Sequence, residues 1–180
     1  NKIIAIDTTD NLKKTCSAQQ EITLDNHVLI PGLINAHGHS PMTLFRGLAD
    51  DMPLQPWLEE KIWPAESQWV SEEFVRDGAA LAVAEMLRSG TTAFTDMYFF
   101  PEEIAKVAHA ANIRTLLASP VLDFPTVYAQ DADEYIRKAT ELNDRYKNSN
   151  MVLVAFGPHA PYTVSDSPPQ HISTLANELE

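Results

Sequence analysis

The chain has one cysteine, Cys16, in 180 residues, so no internal disulfide can brace it, which fits a reducing, cytoplasmic setting. No apolar run is long enough to cross a bilayer, and residues 1–10 lack the basic start and long apolar core of a secretion signal. Positive charge is scarce: 13 Lys and Arg stand against 25 Asp and Glu, a net −12 that repels polyanions and argues against nucleic acid as a partner. The plainer consequence of that acidity is solubility. What is present is an ordinary apolar content, 44%, and a length suited to one domain or a little more. The sequence does not open with Met, and it opens inside what reads as a strand, so the native N-terminus is expected upstream.

Residues 2–6 and 21–30 read as strands, with a polar stretch and a turn signal at Asp10-Asn11 between them. They look like the end of a small β-unit whose partner strands lie elsewhere. Residues 28–35 are apolar, interrupted by Pro31-Gly32, and a long loop rich in Pro and Trp is expected from residue 40 to about residue 71. Helix and strand then alternate. A helix over 72–89 has Ser71 as its cap and Gly90 as its stop; a strand follows at 91–97. Pro101 opens a helix over 101–111, followed by a strand at 113–119, a helix at 131–146 and a strand at 151–156. A last helix runs from Pro168-Pro169 to Glu180. Such alternation predicts an α/β parallel sheet with helical crossovers and leaves both a doubly wound sheet and a (β/α)8 barrel open.

In a strand, residues i and i+2 point to the same side. His37 and His39 lie just past an apolar strand with Gly38 between them, so both imidazoles can converge on one ion. Imidazole nitrogen suits zinc, and also iron or nickel. Taken alone, His-x-His is a weak motif, for which two polar residues at a loop start is the commoner reading. Its place at the carboxyl end of the first strand of a βα series, where such folds build active sites, favours the metal. By residue chemistry alone, Glu66 reads as a solvated carboxylate near a helix start and His159 as a structural histidine. His27, His109 and His171 read as structural or surface residues, and Asp96 as a support for loops. Trp57, Trp63 and Trp69 read first as packing and second as the wall of a pocket for a flat ring.

The run Ile30-Pro31-Gly32-Leu33-Ile34-Asn35-Ala36-His37-Gly38-His39 closely resembles the first-strand signature of the amidohydrolase superfamily. Trp63-Pro64-Ala65-Glu66, Ser89-Gly90-Thr91-Thr92-Ala93-Phe94-Thr95-Asp96-Met97-Tyr98 and Gly157-Pro158-His159-Ala160-Pro161-Tyr162 resemble its 5'-methylthioadenosine/S-adenosylhomocysteine deaminases and their triazine-hydrolase relatives. The resemblance implies a (β/α)8 TIM-type barrel beside a small β-sandwich built from both chain ends. Residues 1–30 would belong to the sandwich, and residues 31–180 would form the first half of the barrel, strands 1–4 with their helices. His37 and His39 would hold one divalent metal ion, zinc, with iron or nickel as alternatives. Glu66 would hold the ribose hydroxyls of the substrate, and His159 would contact the substrate near the metal and serve catalysis. The family's other metal ligands, a histidine from strand 5 and an aspartate from strand 8, and its proton-carrying glutamate fall past residue 180. The 180-residue piece alone is therefore expected to be inactive. Residues 118–125 lack the arginine that some of these deaminases carry for the distal end of the substrate.

The resemblance implies hydrolytic deamination of an adenosine-type nucleoside by the complete protein, with a small molecule as its partner and no nucleic acid or membrane; a homo-oligomer is compatible with this. Two alternatives stand beside it. One is a deaminase or chlorohydrolase of a free N-heterocycle such as guanine, a pterin or a triazine. The other is a non-catalytic scaffold that kept the fold.

Overall fold

The computed structural model describes residues 3–179. The chain divides into two compact units, Asn1–Pro31 and Gly32–Glu180. In the first, helix α1 (Thr9–Thr15) stands where a polar turn was expected. The Asp7 carboxylate accepts from the Thr8 backbone N–H at 2.7 Å and from the Asn11 amide at 3.2 Å. Asp10 in the first turn and Lys13 and Lys14 in the last complement the helix dipole. The two expected strands are not formed: residues 3–6 and 21–30 carry no strand, and Lys2 lies outside the described residues. Ile3, Ile4, Ile22 and Leu29 remain exposed. A strand is held by its ladder, and among the described residues none pairs with these segments.

The second unit opens with β1 (Leu33–Asn35), the part of the apolar stretch 28–35 that follows Pro31-Gly32; Pro31 has no N–H to give a ladder. A 3-10 turn, Ser40–Phe45, follows. Next comes a continuous helical segment: α2 (Leu54–Trp57), a π turn (Leu58–Ile62) and α3 (Trp63–Trp69). This replaces much of the expected long loop. The prolines that suggested a loop are placed where a helix tolerates them. Pro56 lies in the first turn, where its missing N–H would have no partner anyway. Pro64 is the second residue after the π turn, which relieves the clash its ring would otherwise make with the preceding turn.

From there the elements are α4 (Glu72–Arg88), β2 (Thr91–Asp96), α5 (Pro101–Ala110), β3 (Arg114–Val121), α6 (Ala132–Tyr146), β4 (Val152–Pro158) and α7 (Ser167–Leu179). Ser71 caps α4 by accepting from the Phe74 N–H at 3.2 Å. All three strand pairs are parallel, in the order β1-β2-β3-β4. Each strand lies beside its predecessor with no reversal. That is the order of a (β/α)8 barrel, whereas a doubly wound sheet turns back on itself.

Val75, Ala79 and Val83 recur every four residues on α4 and pack with Ile104 and Ala108 of α5 against Phe94, Leu117 and Val152 of the sheet. A second cluster joins Val121 to Tyr135, Ile136 and Ile172. Leu116 and Leu153, register partners, are exposed, while Thr115, Leu117 and Val152 beside them are buried. Gly78 on α4 marks where the 3-10 turn after His39 lies closest: a Cβ there would come 2.5 Å from the Pro41 carbonyl oxygen.

Candidate active site

The carboxyl ends of β1, β2 and β4 carry the site. His37 and His39 leave β1 with ring centroids 5.1 Å apart and planes at 87°. At that spacing each ring can place a nitrogen about 2.0–2.1 Å from one zinc-sized ion. His39 Nδ1 lies 2.7 Å from the Met97 carbonyl oxygen, so Nδ1 carries the proton and Nε2 keeps its lone pair. Gly38 accepts from the Met97 N–H at 3.1 Å, which joins the loop to the end of β2. Asp96, buried at that end, accepts from the Ser40 N–H at 3.0 Å and from the Ser40 hydroxyl. Burial pushes its carboxyl up to about 7, against the pull of these hydrogen bonds. Asp96 thus ties the residue after His39 to β2, the supporting part read from the sequence.

A cavity of about 600 Å³ opens on this end, and His39, Glu66, Tyr98 and His159 all face it. Glu66, on α3, accepts from the Tyr98 hydroxyl at 2.8 Å. Burial raises its carboxyl to about 6, and the Tyr98 hydrogen bond opposes the rise. The solvated carboxylate that residue chemistry suggested is in fact half-buried. Trp57 and Trp63 line the same cavity, Trp63 edge-on to Phe124 at 6.3 Å. These two therefore line a cavity as well as packing, whereas Trp69 is exposed.

His159 follows β4 and donates its backbone N–H to Val121 at 3.2 Å. Its Nδ1 is 2.9 Å from the Thr163 hydroxyl, which donates its own proton to the Ala160 carbonyl. Thr163 therefore accepts from Nδ1–H, and Nε2 is left as an acceptor. Burial lowers the His159 pKa, favouring the neutral ring. His27, His109 and His171 are exposed on their own segments.

Among the described residues no group of three or more His, Cys, Asp or Glu is placed to hold a metal ion. A catalytic zinc takes three protein ligands. The two imidazoles, one held as the tautomer a metal requires, fit as part of that set. Tyr98 is the site residue that sequence reasoning left without a role. Its place just past β2 was visible, but an aromatic there reads as core.

Residues 28–180 match the amidohydrolase family. The chain is 52% identical over 178 residues to a 5-methylthioadenosine/S-adenosylhomocysteine deaminase of Saccharophagus degradans, covering 99% of this chain and 40% of that protein. It is 45% identical over 156 residues to a 5'-deoxyadenosine deaminase of Methanocaldococcus jannaschii, covering 85% of this chain and 36% of that protein. Among solved structures, an adenosine deaminase from Xanthomonas campestris with bound zinc superimposes with a TM-score of 0.81 at 48% identity, over 83% of this chain and 34% of that one. The chain thus spans about two fifths of the length of the curated relatives it matches. With the first-strand histidine pair, the barrel strand order and the family match over residues 28–180 in agreement, the chain belongs to the amidohydrolase family.

Proposed function

We propose that the full-length protein hydrolytically deaminates an adenine-type nucleoside: 5'-methylthioadenosine, S-adenosylhomocysteine or adenosine. The observation that carries this reading is Glu66, a half-buried carboxylate on the same cavity as His39 and His159. Two vicinal hydroxyls call for such an acceptor, and a free base has none to offer it. Relatives named for deaminases of this kind, at 52% and 45% identity, support the same substrate class.

His37 and His39 would hold the divalent ion, with zinc favoured by the zinc-bound structural relative. When bound, the ion supplies the Lewis acidity that makes water nucleophilic near neutral pH. The Met97 carbonyl keeps the His39 lone pair free for it. His159, its tautomer fixed by Thr163 and its neutral form favoured by burial, accepts from the attacking water or from the substrate and orients it. Glu66 accepts from the ribose hydroxyls, and Trp57, Trp63 and Phe124 flank the flat base and exclude water. The reaction adds water at the ring carbon bearing the amine, protonates the ring nitrogen, and breaks the C–N bond to release ammonia. The remaining metal ligands and the proton donor come from outside residues 1–180.

Residues 1–30 would belong to a small β-sandwich, in which the exposed Ile3, Ile4, Ile22 and Leu29 find partners. The lone Cys16, free and exposed, suits a cytoplasmic location. No described helix is long and apolar enough to cross a membrane.

The test is Glu66→Gln in the full-length protein. Losing a charge-assisted hydrogen bond to a hydroxyl, worth roughly 1.5–3 kcal/mol, should lower kcat/KM for 5'-methylthioadenosine by one to two powers of ten, mainly through KM. A variant with wild-type KM for nucleosides removes Glu66 from the sugar site.

A further inference from the structure

Glu66 has one side-chain hydrogen bond among the described residues, and its donor is Tyr98. We propose that Tyr98 is a positioning residue of the sugar site, fixing the Glu66 carboxylate for the ribose hydroxyls. This rests on the reading of Glu66 as the ribose acceptor.

The geometry gives Tyr98 two ends with different surroundings. Its body, only 6% exposed, belongs to the main core cluster and lies tilted against Phe99 with centroids 5.4 Å apart. Its hydroxyl reaches the cavity wall and meets Glu66, 32 residues earlier on α3. A ring anchored in the core cannot swing, so the position of its hydroxyl is set by β2. Glu66 has no such anchor of its own: it is a long side chain with several rotatable bonds, on a short helix that begins after a π turn. The hydrogen bond therefore transfers the position of β2 to a carboxylate that would otherwise sample several rotamers.

The bond also selects the state of the carboxyl. Burial, and then the Glu66 charge, hold the Tyr98 phenol far above its ordinary range, so its single proton is always there to donate. Burial alone would favour a protonated Glu66, and Tyr98 opposes that. A protonated carboxyl turns one oxygen into a donor and loses acceptor capacity toward two hydroxyls. With Oε1 engaged by Tyr98, Oε2 has no side-chain donor among the described residues and is available to a ligand.

The experiment uses the full-length, metal-loaded protein with Tyr98→Phe, Glu66→Gln and the double variant, assayed on 5'-methylthioadenosine across pH 5 to 8. Tyr98→Phe keeps the buried ring and removes only the hydroxyl. We expect KM to rise about tenfold with kcat little changed, the size of one hydrogen bond to a charged group. The acid limb of kcat/KM should move to higher pH. In the Glu66→Gln background the same change should add nothing to KM. Incorporation of 3-fluorotyrosine at position 98, a more acidic donor of nearly the same shape, should move the acid limb the other way and supplies the test if the Phe variant misfolds. A core-packing role alone would lower thermal stability and leave the acid limb in place, and that result overturns the proposal. If Glu66→Gln raises KM while neither change at Tyr98 moves the limb, Tyr98 fails alone. If Glu66→Gln leaves KM unchanged, the ribose reading fails and the proposal falls with it.

Discussion

His37 and His39 show that a spacing of two can bring two imidazoles together, with ring centroids 5.1 Å apart. Alternation sends both rings one way, and the Met97 carbonyl supplies the partner that fixes the tautomer of His39. His37→Ala or His39→Ala should strip the metal and the activity together. Losing an outer partner of a metal ligand already costs 10- to 100-fold, so losing the ligand itself should cost at least about 100-fold. Elemental analysis beside turnover decides it, and a fully active variant without metal contradicts the assignment. Glu66 gives a pH prediction with a definite sign. Its folded pKa is raised to about 6, above the ordinary carboxylate range, so the proton binds as pH falls through 6. KM for nucleosides should therefore climb below about pH 6 and be flat in Glu66→Gln, measured from initial rates at each pH. The histidine pair was legible in the sequence because its partners are two residues apart. The environment of Glu66 was not, because burial and the Tyr98 hydroxyl arrive from elements distant in the chain.

Among the elements, the segment from Leu54 to Trp69 departs most from sequence expectation. Pro56, Pro64 and three tryptophans suggested a loop, yet the helix accepts one proline in its first turn and the other behind a π turn. Those details depend on where each helix begins, the feature sequence periodicity resolves least. The alternation from residue 72 onward was legible because its apolar stripes face one continuous core. The strands expected near the N-terminus failed for the opposite reason: a strand needs a neighbour, and strand-like composition does not supply one. Gly78 offers a test of how α4 positions the metal loop. Ala is normally the better helix former by roughly 0.5–1 kcal/mol. Here its Cβ would meet the Pro41 backbone at 2.5 Å, and overpacking of this kind costs about 1–3 kcal/mol. Gly78→Ala should lower the urea midpoint and weaken metal retention, since Pro41 lies two residues beyond His39. A more stable variant with full metal content would show that the 3-10 turn yields freely.

At the scale of the whole molecule, strand order is the decisive fact. Sequence alone left a doubly wound sheet and a barrel open, because alternation does not say which strand lies beside which. The order β1-β2-β3-β4 places the ends of β1, β2 and β4 around one cavity, where His39, Glu66, Tyr98 and His159 meet. It also leaves Leu116 and Leu153 exposed on one face, in a chain that spans about two fifths of its relatives' length. The proposed substrate class rests on what that cavity presents: His39 and His159 on one part of the wall, and a separate carboxylate, Glu66, with aromatic neighbours; His37, beside His39, is exposed and lies outside its lining. The measurement that tests this most directly is ammonia release by the full-length, zinc-loaded protein from 5'-methylthioadenosine and adenosine, set against adenine, guanine and a triazine. The account predicts kcat/KM for the nucleosides at least about tenfold above that for the sugar-free bases, as expected for one charge-assisted hydrogen bond to the ribose. Equal or faster turnover of free guanine or a triazine would contradict it and assign the cavity to a free heterocycle.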